Sequence, residues 1–222
     1  MKAFPACKAS ARQESAIISL LAGALLLFSL FSCSDSDNRI TGLVSNVVLD
    51  WSDWESMPGA RLSVFAETSL DERAVYEIRA VHNQSGLEWQ CKNPRIIASS
   101  KNSTWAGYTN FVPAQGDTIP QGSYTLYYQD MAGLECQSSF SVSYPYDLLS
   151  STATAFREMK IDREENIALY DADGLLLYYG ERKESWTTNA DIKKDYGVAE
   201  KIRICYRLYS GNTVCMMPEE NL

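Results

Sequence analysis

The sequence predicts a mainly β chain, and three observations carry that expectation. Apolar residues recur at every second position in short runs, turn-forming clusters separate the runs, and a single short helix is indicated, over Ala190 to Tyr196. Alternation marks a strand with one buried face, because successive side chains point to opposite sides of a sheet. With 222 residues, 45% hydrophobic and 22% charged, the chain has the apolar surface to enclose a core.

The chain opens on Lys2, Lys8 and Arg12, followed by the uncharged run Ala16 to Phe31. This is the charge and hydropathy pattern of a secretory signal, assigned to residues 1–32. The run is shorter than the roughly 18 residues of a membrane-spanning helix. Leu30-Phe31-Ser32-Cys33 resembles the lipobox of bacterial lipoproteins, with Phe31 departing from the usual small or β-branched residue as in the relaxed boxes of spirochaetal lipoproteins. The resemblance implies diacylation of the Cys33 sulfur, cleavage before it, and anchoring in a lipid bilayer. Residues 33–41 are then a lipidated tether, and Ser34-Asp35-Ser36-Asp37-Asn38-Arg39 is its polar spacer. At about 0.8 kcal/mol per buried methylene, two or three acyl chains hold where one is marginal. The alternatives are an uncleaved signal-anchor helix, or cleavage by ordinary signal peptidase that leaves Cys33 free. By the same resemblance Ser34 permits export onward, so the expected location is the cell envelope, at the outer membrane or the periplasmic face of a membrane.

Loss of residues 1–32 leaves 17 basic and 27 acidic residues, a net charge of −10. Nucleic acid is excluded as a partner, since neutralising phosphates takes clustered Lys and Arg. Anionic headgroups repel such a surface, so acyl chains and not a basic patch must provide the attachment.

Residues 42–146 carry most of the strand signals. Val47, Leu49 and Trp51 alternate, as do Leu62, Val64 and Ala66, then Tyr76, Ile78 and Ala80, then Leu87, Trp89 and Cys91. Trp105 to Phe111 is another strand, and Asp117 to Gly122 a Pro and Gly turn. Tyr124, Leu126 and Tyr128 share a face; Asp130-Met131-Ala132-Gly133 closes a hairpin onto a strand from Leu134 to Tyr144. About seven short strands with turns every 8 to 12 residues are the pattern of a β-sandwich. The segment Pro120-Gln121-Gly122-Ser123-Tyr124-Thr125-Leu126 resembles the corner before a late strand in immunoglobulin-like and fibronectin type III-like domains. That resemblance implies an immunoglobulin-like β-sandwich in which the Tyr124 hydroxyl ties back to the preceding loop. Leu126 stands where antibody domains have their second core Cys.

Pro145 to Thr154 reads as a linker, and residues 155–222 as a smaller β-rich unit with one short helix. Asp171-Ala172-Asp173-Gly174 is a hairpin signal between Asn166 to Tyr170 and Leu175 to Gly180. Thr188 or Asn189 caps a helix over Ala190 to Tyr196, ended by Gly197, and Ile202 to Leu208 with Thr213 to Met217 form a last hairpin.

Four cysteines remain beyond Cys7 and Cys33 in an exported chain. Cys205 and Cys215 flank Ser210-Gly211-Asn212 and are expected opposite one another across that hairpin, which leaves Cys91 with Cys136 as the second disulfide. The alternative is four reduced, buried thiols. No metal site is expected, because no CxxC spacing occurs and His82 is the only imidazole. No cofactor motif is present. Asp171-x-Asp173-Gly174 lacks the remaining ligands of a calcium loop, and His82 has no nucleophile elbow beside it. Glu164-Glu165 and Glu219-Glu220 would need a partner carboxylate about 5 to 9 Å away to cleave a glycan.

Aromatic residues are the stronger lead, with 13 Tyr and 5 Trp. Tyr127-Tyr128 and Tyr178-Tyr179 each put one ring on either strand face. With Trp51 and Trp54 these rings supply a stacking surface for a sugar or a protein, the candidates being Trp51, Trp54, Tyr127 and Tyr178. The expected role is a non-enzymatic binding or assembly module, anchored in the bilayer through acylated Cys33 and facing an envelope protein or glycan. The rivals are an envelope glycan hydrolase with carboxylates in an interdomain cleft, and a structural spacer without a ligand.

Overall fold

Alternation and turn chemistry produce 12 strands, which the computed structural model describes over residues 40–68, 74–98, 104–115 and 117–222. The expected signal peptide, Cys33 and nearly all of the expected tether lie outside the described residues. The strands are β1 (Ile40–Asp50), β2 (Gly59–Thr68), β3 (Val75–His82), β4 (Glu88–Cys91), β5 (Arg95–Ala98) and β6 (Thr104–Phe111). After them come β7 (Gly122–Asp130), β8 (Glu135–Val142), β9 (Arg163–Tyr170), β10 (Leu176–Gly180), β11 (Lys201–Leu208) and β12 (Thr213–Asn221). The fold is mainly β, as expected.

Two sheets form, one in the order β10-β9-β11-β12-β1-β2-β6-β5 and one in the order β4-β3-β7-β8. The second half of the larger sheet, β1-β2-β6-β5, and the smaller sheet reproduce the ABED and CFG strand arrangement of immunoglobulin-type sandwiches, with β4 as an added edge. Their inward residues make one core: Leu49, Leu62, Val64 and Ala66 from the first sheet, Ile78, Ala80, Tyr124, Leu126 and Tyr128 from the second, all fully buried. Tyr124 is the corner residue, its hydroxyl donating to the Pro120 carbonyl at 2.7 Å. Tyr144 does the same to Ile119 at 2.7 Å, so two phenols hold the turn before β7. At Tyr76 the expected alternation breaks: a register shift between Val75 and Glu77 leaves Tyr76 exposed, while Glu77, on the face opposite Ile78, is covered by Arg79 and Gln90.

The C-terminal strands extend the first sheet edge to edge. β12 pairs in parallel with β1, Val47 to Asp50 against Thr213 to Met216, and β11, β9 and β10 follow antiparallel. Asp50 on β1 binds Arg203 from β11 and Arg61 from β2, while Arg203 also donates to the Met217 and Trp51 carbonyls.

The stretch expected as a linker is instead a packed crossover. A 3-10 turn (Tyr146–Ser150) and helix α1 (Ala153–Glu158) bury Leu148, Ala153 and Phe156 completely. Thr152 caps α1 by accepting from the Ala155 amide, and Phe156 stacks on Trp51 with ring centroids 5.2 Å apart. Pro, Ser and Thr here are cap and turn chemistry, which composition does not distinguish from a linker. The single helix expected further on is α2 (Asn189–Asp195), capped by Thr188 in a reciprocal box with Asp191. Its Ile192 packs on Ile167, Leu169 and Ile202 with Trp186, a second and smaller core.

Both expected disulfides are corrected by register. Across the β11-β12 hairpin Tyr206 lies opposite Cys215 and Cys205 opposite Met216. One residue of offset puts the two cysteines on opposite faces of the sheet, so their side chains point apart. Cys91 is aligned with Ile78, Ile78 with Tyr128, and Tyr128 with Cys136. Three strand spacings therefore separate Cys91 from Cys136, about 14 Å. All four thiols are free.

Burial pushes the thiols of Cys136 and Cys205 up to about 11 and that of Cys215 up to about 12, from an ordinary value of 9.0. A thiol whose folded value is raised contributes stability that is complete below pH 9 and lost as the pH climbs toward 11 and 12. Alkaline unfolding in that window is the expected outcome, followed by circular dichroism. Iodoacetamide at pH 8 is expected to modify half-buried Cys91 in the native state and the other three only after denaturation. A peptide map joining any two of them would refute the register argument.

Candidate binding site

The four aromatic candidates fall into different environments. Trp51 is fully buried, its indole donating to the Ser151 carbonyl at 2.9 Å, so it is a core residue and offers no stacking surface. Strand alternation put it inward with Val47 and Leu49. The other three are half-buried, and each has one of the chain's own cations over its ring. Arg157 lies 5.1 Å from the Trp54 ring centroid, in a shallow pocket completed by Thr154 and Glu158. Arg79 lies 4.6 Å from Tyr127 and is paired with Glu77, Glu88 and Glu135. A ring already capped by a guanidinium is a poor platform for a sugar, which needs an open face.

Tyr178 is different, because three rings converge there. It comes from β10; Trp186 comes from the loop between β10 and α2; Tyr196 caps the C-terminus of α2. Tyr178 and Trp186 meet at 74°, Trp186 and Tyr196 at 83°, and Tyr178 and Tyr196 at 54°, with centroids 5.0 to 5.8 Å apart. Steep angles make walls and not a stack. The ammonium of Lys183 sits between them, 4.5 Å from Trp186, 5.4 Å from Tyr196 and 5.9 Å from Tyr178.

One carboxylate completes the enclosure. Asp195 Oδ2 accepts from Lys183 Nζ at 2.8 Å and from the Trp186 indole at 2.9 Å. The Lys183 contact, then the indole, lower the Asp195 carboxyl from its ordinary value, and Asp195 raises Lys183 in return. Asp195 closes the last turn of α2, where the helix dipole disfavours an anion. Its pairing with Lys183 and Trp186 offsets that. The loop is held by the Trp186 amide donating to the Lys183 carbonyl and by the Tyr178 hydroxyl donating to the Glu181 carbonyl. Of this group the sequence pointed to Tyr178 alone. Lys183, Trp186, Asp195 and Tyr196 follow no recognisable spacing, and a loop and a helix turn bring them together.

The remaining chemistry-bearing residues are placed plainly. His82 is buried; its Nδ1 accepts from the Ser85 amide within the β3-β4 turn and its Nε2 donates to the Gln121 carbonyl before β7 at 3.2 Å, so both nitrogens are used in holding turns. Ser85 Oγ contacts Nδ1 at 2.7 Å while accepting from the Leu87 amide, which is turn geometry. Glu164 and Glu165 occupy opposite faces of β9, one bonded by Asn166 and the other beside Tyr206. Glu219 pairs with Lys201. Asp171 accepts from the Asp173 and Leu175 amides, a hairpin turn as expected. Among the described residues no group of three or more His, Cys, Asp or Glu is arranged to hold a metal ion.

The last strand of the larger sheet supplies an exposed surface. β10 ends the strand order, and Leu175, Leu176 and Tyr179 beside or on it are 65%, 51% and 53% exposed. The edges of the smaller sheet differ, with Glu88 and Gln90 exposed on β4 and Glu135, Gln137, Ser139 and Ser141 on β8. Polar side chains are the usual protection of a strand edge, and β10 lacks them. No protein-family model, curated protein or solved structure matches this chain.

Proposed function

We propose that the protein is a non-enzymatic binding module of a bacterial cell envelope, fastened to a bilayer by acylated Cys33 and engaging an extended segment of an envelope protein along β10. The observation that carries this reading is the apolar, unprotected edge of β10. Main-chain groups along such an edge give a partner strand its affinity, and exposed side chains such as Leu176 and Tyr179 give it selectivity. A polypeptide partner is favoured over a glycan, because Trp51 is buried, Trp54 and Tyr127 are capped by Arg157 and Arg79, and the rings around Tyr178 meet at steep angles and offer no flat stacking face. Among the described residues, the carboxyls of Asp191 and Asp195 are held below their ordinary values by the hydrogen bonds they accept, opposite to what a glycan-cleaving general acid requires.

The test is position-specific photocrosslinking in living cells. A crosslinker at Tyr179 is expected to give a discrete, protease-sensitive adduct, and one at Gln137 on the polar β8 edge is not. Leu176→Lys, which places a charge on the β10 edge, is expected to reduce the adduct at least about tenfold. Equal adducts from both positions, or one removed by glycan digestion, would overturn the strand-edge reading.

A further inference from the structure

Three aromatic rings and a carboxylate around one cation form more than a loop needs for closure. Elsewhere among the described residues a cation meets a single ring at Trp54 and at Tyr127, and Arg163 meets two, those of Phe156 and Tyr206. At Tyr178, Trp186 and Tyr196 the negative faces of three rings converge on one point, within the roughly 6 Å over which a ring quadrupole attracts positive charge. Asp195 adds a full negative charge at the same point and is oriented by the Trp186 indole.

The occupant fits this enclosure poorly. A primary ammonium carries three N–H donors, and Asp195 accepts one of them. Rings offer no lone pair to the other two, which must therefore remain in water, and the Lys183 side chain is 42% exposed. An ion pair exposed on both sides is held weakly, since solvent screens it and two flexible side chains must be fixed. The walls, by contrast, are built in: Trp186 is 2% exposed within the smaller core, and the Tyr178 hydroxyl is bonded to the Glu181 carbonyl. The result is a rigid receptor with a releasable plug.

We propose that Tyr178, Trp186, Tyr196 and Asp195 form a receptor for a trimethylammonium group, and that Lys183 is the displaceable side chain that occupies it between binding events. A trimethylammonium group has no N–H to satisfy and spreads its charge over methyl groups that lie against ring faces, so it gives up less hydration on entry than a primary ammonium does. Release of Lys183 into water leaves Asp195 to pair with the incoming cation. The chemistry is shared by small soluble quaternary amines and by the phosphocholine headgroup of a bilayer. This inference does not depend on strand addition at β10.

The experiment follows the Trp186 indole N–H resonance of the full chain in maltoside micelles, identified by its loss in Trp186→Phe. Choline chloride is expected to shift it saturably, and ethanolamine, with a primary ammonium, at least about tenfold more weakly. Lys183→Gln removes the plug from an exposed position and is expected to tighten choline binding about threefold to fivefold. Asp195→Asn is expected to weaken it. In a second arm the full chain is placed in vesicles. The same shift in phosphatidylcholine but not phosphatidylglycerol vesicles supports the receptor and assigns the headgroup as source; a shift with free choline alone supports it and assigns a soluble amine. No saturable shift in either the native chain or Lys183→Gln, equal response to ethanolamine, or weaker choline binding by Lys183→Gln would overturn the proposal. The crosslink at Tyr179 is read independently, so failure of one proposal leaves the other distinguishable.

Discussion

Phe156→Ala is expected to destabilise the whole folded body, with loss of structure in a single transition about 10 °C lower. Phe156 is fully buried, stacked on Trp51 of the segment after β1 and tilted against Tyr206 of β11 with centroids 5.6 Å apart. Arg163 closes the cluster: its guanidinium lies 4.7 Å from the Phe156 ring and 4.2 Å from the Tyr206 ring, and donates to the Phe156 and Arg157 carbonyls at the end of α1. Truncation of a buried Phe costs about 3–5 kcal/mol, because the neighbours relax only partly into the space left. Folded domains have about 5–15 kcal/mol in all, so the change removes a large share. At about 2–4 °C per kcal/mol for a body of this size, a shift near 10 °C follows. The measurement is thermal unfolding followed at two sites in an otherwise native sequence, by the indole N–H resonances of Trp89 in the smaller sheet and of Trp186 beside α2. Coincident shifts are expected, since Phe156 joins the strands on either side of the crossover. A variant in which Trp89 reports an unchanged midpoint while Trp186 moves would show that α1 does not couple the two parts.

Cys33→Ala is expected to have the largest effect on location. If acylation provides the attachment proposed above, the native chain partitions into the membrane and the detergent phase, and the variant loses that partition. Two acyl chains bury some 30 methylenes, and at about 0.8 kcal/mol each no surface contact of a protein carrying −10 replaces them. The readouts are fractionation, the mass of the N-terminal peptide and incorporation of labelled palmitate. A variant that stays embedded and keeps residues 1–32 would point to an uncleaved signal-anchor helix and would remove the argument for Cys33.

Much of the backbone was legible because its causes are local. The Tyr124 corner, the Asp171 hairpin and the Thr188 cap each depend on chemistry within a few residues, and each occurs where the residues indicated. Alternation likewise told which residues of β2, β7 and β8 face inward. The candidate site was legible only at Tyr178. Its other members are separated by a loop and a helix turn, and neither period nor spacing connects Lys183 and Trp186 to Asp195 and Tyr196.

The sequence by itself determined that the chain is mainly β, where most strands other than β5 lie, and which side chains alternate inward, because dihedral preference and burial period act residue by residue. Only the tertiary structure decided which strands are neighbours. Cys205 and Cys215 miss one another by one residue of register, Cys91 and Cys136 are kept apart by two intervening strands, and a Pro and Ser stretch that reads as a linker is held by Phe156 against Trp51 and Tyr206. Each of these turns on contacts between residues far apart in the chain, whose free energy appears only once both sides have been brought together.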